Sequence, residues 1–183
     1  MITHSDTPAK KISAHDRILL TAHNLFYKYG IRATGIDLLI KEAGVTKTTF
    51  YRHFPSKDTL IIAFLEYRHQ HWITWFNRAV DCPNDITKAL AEWFENDDFR
   101  GCAFINTVGE IGITMLEATD ISIKHKQEMT NIIHGVLPET DDRLAIAKAI
   151  ALSIDGAIVQ VQREKSPEPA LQALNKIIES LLY

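Results

Sequence analysis

The stretch from Thr34 to Lys57, TGIDLLIKEAGVTKTTFYRHFPSK, constrains the fold of this chain more than any other. It predicts two short helices joined by a tight turn. Thr34 is placed to cap the first helix, and Asp37 three residues later completes a capping box. Gly44 ends that helix, because glycine tolerates the left-handed conformation that a sharp C-terminal turn requires.

The second helix of this stretch carries a polar face. Thr46 is its predicted N-cap, and it runs from Lys47 to His53. Phe50 and Phe54 are four residues apart and face a core. The other side chains must then largely face outward: Lys47, Thr48, Thr49, Tyr51, Arg52 and His53. Cations and hydroxyls bind phosphates, and side chains near a helix N-terminus reach base edges, so the pattern predicts a helix-turn-helix for a DNA major groove.

A longer segment, GIRATGIDLLIKEAGVTKTTFYRHFPSKDTL, resembles the DNA-binding segment of the tetracycline-repressor family of bacterial transcription regulators. The resemblance covers about residues 13 to 65. Thr48 departs from the family pattern, because many members carry glycine there, and this difference bears on the operator sequence. The matching features are Gly30, Thr34, Ala43-Gly44-Val45, Tyr51, His53-Phe54 and Ser56-Lys57.

The resemblance also implies roles for individual residues on DNA. The positions with which the family contacts the DNA backbone correspond to Thr34, Lys47, Tyr51, His53 and Lys57. Near the front of the helix, Thr48 and Thr49 are the candidates for base edges or thymine methyl groups. Arg52 either reads guanine or holds a phosphate. With the cap residue Thr46 added, the predicted DNA-binding set is Thr34, Thr46, Lys47, Thr48, Thr49, Tyr51, Arg52, His53 and Lys57.

Helical periodicity runs through the rest of the chain, and no alternating strand pattern interrupts it. The fold class predicted is all-α, with an N-terminal three-helix helix-turn-helix DNA-binding domain and a helical-bundle domain for ligand binding and dimerisation. We expect a flexible arm over residues 1–12, the DNA-binding domain over 13–60 and the effector-binding and dimerisation domain over 61–183. Ser13 and Ser56 are the predicted N-caps of the first and fourth helices. The predicted helices have these limits: Ser13 to Gly30, Lys57 to Asp81, Asp85 to Asn96, Cys102 to about Leu116, Asp120 to Leu137, Asp141 to about Glu164 and Ala170 to Leu182.

Charge is distributed unevenly along the chain. Residues 1–60 carry a balance of +4 and the remainder −7, which together give the formal net charge of −3. A basic first part on an acidic second part fits a surface that meets phosphates. The hydrophobic share of 46% favours a packed core over disorder.

The sequence predicts a cytoplasmic protein without a membrane segment. No apolar run approaches the roughly 20 residues of a membrane span. MITHSDTPAKK has no apolar signal core. Cys82 and Cys102 form no metal or redox motif, which fits a reducing compartment.

The resemblance implies a pocket for a small-molecule effector in the second domain. Aromatic walls with a few polar groups suit such a pocket, although the same residues also suit an ordinary core. The candidate lining residues are Phe64, Arg68, His71, Trp72, Trp75, Phe94, Cys102, Asn106, Glu110 and Met129.

Enzyme chemistry is not indicated. The eight histidines show no metal-ligand spacing, and no phosphate loop or nucleophile elbow is present. We therefore predict no catalytic residue, no cofactor and no metal site. Cys102 has two readings: a small buried residue, or a sensor of electrophiles or oxidants at a helix N-terminus, where the dipole favours the thiolate.

The two C-terminal helices, at about 141–164 and 170–182, have broad apolar coverage. They suit either the core of one subunit or a four-helix bundle across a twofold axis. The resemblance implies the homodimer. We predict a ligand-responsive regulator, in this family most often a repressor, which binds a near-palindromic double-stranded operator and is released by an effector. The alternatives are an effector-independent DNA-binding protein and a redox or electrophile sensor that acts through Cys102.

Overall fold

The structure, a computed structural model, describes residues 12–182, and every regular element in that range is an α-helix. This confirms the all-α class, with a helix-turn-helix domain before a helical bundle. We call the first three helices, within residues 14–53, the head and the last five, within residues 85–182, the body. The arm predicted for residues 1–12 lies, apart from Ile12, outside the described residues. The helices are α1 Ala14–Tyr29, α2 Ile36–Ala43, α3 Lys47–His53, α4 Lys57–Ala79, α5 Asp85–Phe94, α6 Ala103–Ile111, α7 Leu116–Val136, α8 Arg143–Glu164 and α9 Pro167–Leu182.

Side-chain caps begin three of the first four helices, as the sequence predicts. The hydroxyl of Ser13 accepts a hydrogen bond of 3.1 Å from the backbone N–H three residues later. Thr46 does the same at 3.2 Å and Ser56 at 3.1 Å. Gly44 ends α2 in the left-handed conformation, with φ 61° and ψ 42°. Each cap satisfies a backbone group that the helix leaves unpaired.

The cap predicted for α2 is wrong. Gly35 occupies the N-cap position, and α2 has no side-chain cap among the residues that the structure describes. Thr34 is completely buried, and its hydroxyl donates to the carbonyl oxygen of Gly30 at 2.7 Å. The turn that follows α1 directs Thr34 inward, where it pairs a carbonyl freed at the end of α1. The predicted capping box with Asp37 is therefore absent, and the Thr34 hydroxyl faces away from solvent.

Several predicted helix limits move by a few residues. A turn at residues 112–115 separates α6 from α7, and the Thr114 hydroxyl donates to the last carbonyl of α6, that of Ile111, at 3.0 Å. Pro167 lies in the first turn of α9, where its missing N–H leaves no helical hydrogen bond unmade. Helix α4 ends at Ala79 rather than Asp81, and α5 ends at Phe94 rather than Asn96. Helix α6 runs from Ala103 to Ile111 rather than from Cys102 to Leu116, and α7 runs from Leu116 to Val136 rather than from Asp120 to Leu137. Helix α8 begins at Arg143 rather than Asp141, and α9 begins at Pro167 rather than Ala170.

The long helix α4 joins the head to the body. Its 23 residues span about 34 Å. It packs against α1 of the head and against α5, α6 and α7 of the body. The side chains that it buries are Leu60, Ile61, Phe64, Leu65 and Phe76. A shift of α4 within the body would therefore reach the head directly.

Helix α8 corrects the expectation that no segment has the length and composition of a membrane span. Over 18 residues its mean hydropathy is 1.7, which meets that test by length and composition alone. A core helix meets the same test, and α8 packs against both α7 and α9. Seven of its side chains lie in the core: Ala147, Ile150, Ala151, Ile154, Ala157, Ile158 and Val161.

Replacing Thr34 with valine should destabilise the fold. The change removes the buried hydroxyl and leaves the Gly30 carbonyl unpaired, so we expect the free energy of unfolding to fall by about 1–2 kcal/mol. Urea denaturation followed by circular dichroism measures it.

Thr48→Val is the matched control for this substitution. Thr48 is exposed on α3, so this variant should stay within about 0.5 kcal/mol of the wild type. Equal stability of all three proteins would contradict the structural role of the Thr34 hydroxyl.

Candidate nucleic-acid interface and the clefts behind it

The outer face of α3 is set by the two phenylalanines on its inner face. Phe50 has no exposed surface and Phe54 is 4% exposed. With both rings anchored in the core, Lys47, Thr48 and Arg52 are exposed. Tyr51 also faces solvent, and its ring packs edge-on against Phe50 at 5.4 Å between centroids. The result is a short rigid helix with cations, a hydroxyl and a phenol on one side.

The remaining residues predicted for DNA lie at the margins of this face. Thr49 is half-buried, and its hydroxyl accepts a hydrogen bond of 2.9 Å from Thr46. His53 is also half-buried, 5.9 Å from the His15 ring on α1. Both threonine hydroxyls thus already take part in the cap of α3, although each retains lone pairs or a proton for another partner.

Lys57 points back toward the head. Its ammonium donates to the carbonyl oxygen of Ile31 and lies 5.9 Å from the centre of the Phe26 ring. Burial lowers the pKa of Lys57, and the nearby carboxylates of Glu110 and Asp58 partly oppose that effect. In this structure Lys57 therefore braces the turn between α1 and α2.

Glu110 of α6 holds that same turn from the body side. Its carboxylate accepts a hydrogen bond of 2.9 Å from the backbone N–H of Arg32. Gly30 has φ +89°, and a Cβ there would lie 2.9 Å from the Glu110 carboxylate. Only glycine can adopt this positive φ and leave room for the Glu110 carboxylate without strain. Glu110 is thus a contact between the body and the head.

Tyr27 of α1 makes a second contact with the body. Its hydroxyl donates to the carbonyl oxygen of Gly101 at 2.9 Å and accepts from the N–H of Arg100 at 3.0 Å. Burial raises the pKa of Tyr27. The guanidinium of Arg68, from α4, lies 3.6 Å from the centre of the Tyr27 ring. Sequence periodicity missed Tyr27, because its position on α1 gives no sign of a partner 74 residues away.

Two adjoining clefts open beside Arg68. The first, which we call the junction cleft, has a volume of about 530 Å³ and is formed by α1, α4, α5 and the loop after α5. Its lining residues are His23, Asn24, Tyr27, Lys28, Arg68, Trp93, Asn96, Asp98, Phe99 and Arg100. The second, between α4 and α5, has about 370 Å³ and is lined by His23, Arg68, His71, Trp72, Trp75, Glu92, Trp93 and Asn96.

The ten residues predicted for a ligand pocket do not share one cavity. Arg68, His71, Trp72 and Trp75 lie together in the cleft between α4 and α5. Phe64, Asn106 and Glu110 line a separate cleft of about 470 Å³ beneath Gly30. Phe94, Cys102 and Met129 are buried in the core, with 6%, 4% and 1% of their surface exposed. Similar aromatic composition alone does not distinguish a cavity wall from a packed interior.

A buried polar cluster lies inside the body between α4 and α7. His125 stacks on Phe104 with centroids 3.7 Å apart, and its Nδ1 is 3.2 Å from Nδ1 of His69. Nε2 of His69 is 3.2 Å from the Glu128 carboxylate. Burial, with smaller effects from nearby cations and His69, lowers the pKa of His125 to about 2, so this imidazole is neutral. The indole N–H of Trp72 beside it is buried and has no hydrogen-bond partner among residues 12–182.

Several comparisons place these features among known proteins. Residues 18–64 match the family described as bacterial regulatory proteins, tetR family. The chain is 42% identical over 129 residues to the uncharacterized HTH-type transcriptional regulator YerO of Bacillus subtilis, which covers 69% of this chain and 42% of YerO. It is 24% identical over 153 residues to the HTH-type transcriptional regulator EthR of Mycolicibacterium smegmatis, which covers 83% of this chain and 62% of EthR. The chain thus spans less than two thirds of either relative.

The fold is also that of a solved regulator. A TetR-family transcriptional regulator from Streptomyces coelicolor superposes with a TM-score of 0.79 and 27% sequence identity. The superposition covers 92% of this chain and 94% of that one. It includes the body as well as the head.

Replacing Gly30 with alanine should destabilise the contact between head and body. The added Cβ meets the Glu110 carboxylate and must adopt a positive φ, so we expect a loss of about 1–3 kcal/mol in the free energy of unfolding. Gly35→Ala is the control, because nothing lies within 4 Å of its Cβ position and its φ of −81° suits alanine. Equal urea midpoints for the two variants would contradict this account.

Proposed function

We propose that this chain, which belongs to the TetR family of bacterial transcription regulators, binds a near-palindromic operator as a homodimer and leaves it when a small molecule binds. The observation that carries the proposal is the outer face of α3. Phe50 and Phe54 fix the rotation of this helix, so that Lys47, Tyr51 and Arg52 project from the surface. In this proposal the protein is a cytoplasmic repressor, and it has no catalytic role.

Each residue of α3 has a role in the proposed complex. Lys47 and Tyr51 hold phosphates, because a cation and a phenol on the outer face of a recognition helix reach the DNA backbone. Thr48 approaches a base edge or a thymine methyl group, and Arg52 reads guanine or binds a phosphate. The two copies of α3 enter successive major grooves about one helical turn apart.

The other residues of the predicted DNA-binding set have different roles from those on the outer face of α3. Thr46 caps α3, and Thr49 and His53 lie at its edges within reach of phosphates. Thr34 contributes through the buried hydrogen bond to Gly30, and Lys57 through its bond to Ile31. We therefore assign Thr34 and Lys57 to positioning the helix-turn-helix in the conformation described here.

Selection of bound sequences from a random DNA pool should enrich an inverted repeat. Tyr51→Phe should weaken binding of the selected site by about tenfold, because it removes one hydrogen bond to a phosphate in each half-site. Lys47→Ala should weaken binding to all sequences and reduce the salt slope by about one for each half-site. Fluorescence anisotropy at several salt concentrations measures both effects.

Lys88→Ala is the matched control for the lysine substitution. Lys88 is exposed on α5 and, within the described part of the chain, pairs only with Asp85, so its loss should leave operator affinity and salt slope unchanged. Binding that is equally weakened by Lys47→Ala and Lys88→Ala would mean a general charge effect. An unaffected Lys47→Ala variant would remove α3 from the interface.

The homodimer is proposed to form through α8 and α9. Leu144, Leu152 and Val159 of α8 are 50%, 75% and 40% exposed and lie on one side of the helix. Ile177 of α9 is 40% exposed. Apolar side chains on two adjacent helices favour a four-helix bundle across a twofold axis.

A charge in this face should separate the subunits. We expect Leu152→Lys to be a folded monomer in sedimentation velocity, because burial of an unpaired ammonium in an apolar interface is unfavourable. Its operator affinity should fall at least about tenfold, since a single head reads only half a site. Ile113→Lys is the control, because Ile113 is 97% exposed outside these helices. A Leu152→Lys dimer would place the interface elsewhere.

Release from DNA is proposed to pass through α4. Its first turn braces the head through Lys57, and its later turns pack against three body helices. An effector that prefers a different position of α4 would change the spacing of the two heads. About 3 kcal/mol of coupling would weaken operator binding roughly 100-fold.

The sensor alternative concerns Cys102. It is the N-cap residue of α6 but is 4% exposed, whereas Cys82 is exposed and its thiol donates to Asp85. An oxidant must therefore reach Cys102 through an opening of the loop before α6. Loss of an oxidant response in Cys102→Ser, with its retention in Cys82→Ser, would favour this alternative over a reversible effector. An effector-independent protein would bind DNA and respond to neither.

A further inference from the structure

We propose that the junction cleft binds an organic anion, an aromatic carboxylate, and that Arg68 binds its carboxylate group. The cleft joins the head to the body, so such a ligand would be an effector if the proposed regulatory function is correct. The binding itself does not depend on that function. It rests on Arg68, on the charge around it and on the aromatic walls.

Arg68 is a half-buried cation without an anionic partner among the described residues. No carboxylate lies within 4.0 Å of its guanidinium in that part of the chain. Its hydrogen bond goes to Nε2 of His23, at 3.1 Å from Nη1, and its central carbon lies 3.6 Å from the centre of the Tyr27 ring. Burial lowers the pKa of Arg68. A guanidinium has five N–H donors in a fork that matches a carboxylate, and the single bond that Arg68 makes among the described residues uses one of them.

His23 orients this guanidinium. Burial lowers the pKa of His23, so the imidazole is neutral near pH 7. Its Nδ1 is 3.2 Å from the Asn24 side-chain oxygen and donates to it. Nε2 then carries the lone pair and accepts from Arg68. Neutral partners on both sides hold the cation in place without neutralising it.

Other charges in the cleft also favour an anion. Lys28 and Arg100 line it together with Arg68, against a single carboxylate, that of Asp98. The guanidinium of Arg100 is bonded to the backbone carbonyls of Asp97 and Phe99, which fixes its charge at the rim. Arg68 and Arg100 belong to residues 61–183, whose overall charge is negative, whereas Lys28 belongs to α1. The positive charge at this cleft is therefore a local excess. Converging cations concentrate an anion in a partly desolvated cleft.

The walls of the cleft suit a ring. Tyr27, Trp93 and Phe99 supply aromatic faces, and Trp93 packs edge-on against Phe99 at 5.2 Å between centroids. The volume of about 530 Å³ is within the range of small-molecule sites. An aromatic ring between these walls brings its carboxylate to Arg68. Inorganic phosphate would satisfy the charge but leave the walls unfilled.

The position of the cleft gives the ligand a means of regulation. His23, Tyr27 and Lys28 belong to α1 of the head, whereas Trp93 and Phe99 belong to the body side. A ligand that bridges these groups stabilises one arrangement of head and body over others. It would therefore change the spacing of the two heads through differential affinity.

The test is titration of the full chain, without DNA, with benzoate, 1-naphthoate, 2-naphthoate, neutral 2-naphthalenemethanol and inorganic phosphate. Isothermal calorimetry and tryptophan fluorescence report binding. We expect saturable binding of a naphthoate with a dissociation constant below about 1 mM, and at least tenfold weaker binding of the alcohol and of phosphate. Phosphate binding as tight as naphthoate binding would show a simple anion site and overturn the aromatic assignment. The absence of saturable binding for all three carboxylates would overturn the proposal.

Four variants locate the bound carboxylate. Arg68→Met should weaken naphthoate binding at least tenfold, whereas Arg78→Met, which replaces an exposed arginine on the same helix, should leave it unchanged. Lys28→Glu should weaken naphthoate binding and Asp98→Asn should strengthen it, each by about two- to fivefold, without changing the affinity for the alcohol. Because Lys28 is exposed, its variant remains informative if Arg68→Met fails to fold. Wild-type affinity in both Arg68→Met and Lys28→Glu would overturn the proposal.

A parallel measurement of operator binding separates this proposal from the regulatory one. Naphthoate binding without any operator binding would support the anion site and reject the DNA-binding function. Operator binding without naphthoate binding would support the DNA-binding function and reject the anion site. An operator affinity that falls when naphthoate is added, and does not fall for Arg68→Met, would support both.

Discussion

Burial of Phe50 is the constraint that sets which residues of α3 face outward. A seven-residue helix is too short to be stable alone, so its rotation and tilt come from packing. Phe50, with no exposed surface, and Phe54 decide which side of α3 is inside. Every polar residue on the outer side then takes its direction from these two rings. The surface chemistry of the head is thus a consequence of its core.

The head is in turn held by a small number of contacts with the body. Glu110 binds the backbone of the turn after α1, and Tyr27 binds the backbone of the loop before α6. Between these two points, Arg68 of α4 lies against Tyr27. Each of these hydrogen bonds pairs a side chain on one side with a backbone group on the other. Such an interface can change between arrangements at lower energetic cost than a packed core.

Local chemistry explains which features could be predicted. The caps Ser13, Thr46 and Ser56 and the left-handed Gly44 depend on neighbours within a few residues, so their roles were predicted correctly. Thr34 shows the limit of that approach. It has the residue type and spacing of a cap, but the turn after α1 places it in the interior, and no local rule contains that information.

The sequence by itself determined the all-α class, the helix-turn-helix and the outward direction of Lys47, Thr48, Tyr51 and Arg52 on α3, because helical periodicity and capping act over one or two turns. Only the tertiary structure decided how the predicted ligand residues divide among three clefts and the core, since that depends on which helices meet. It also paired His69 with His125 and brought His23, Tyr27 and Trp93 to Arg68. These contacts join residues more than 20 positions apart, and periodicity within one helix cannot specify them.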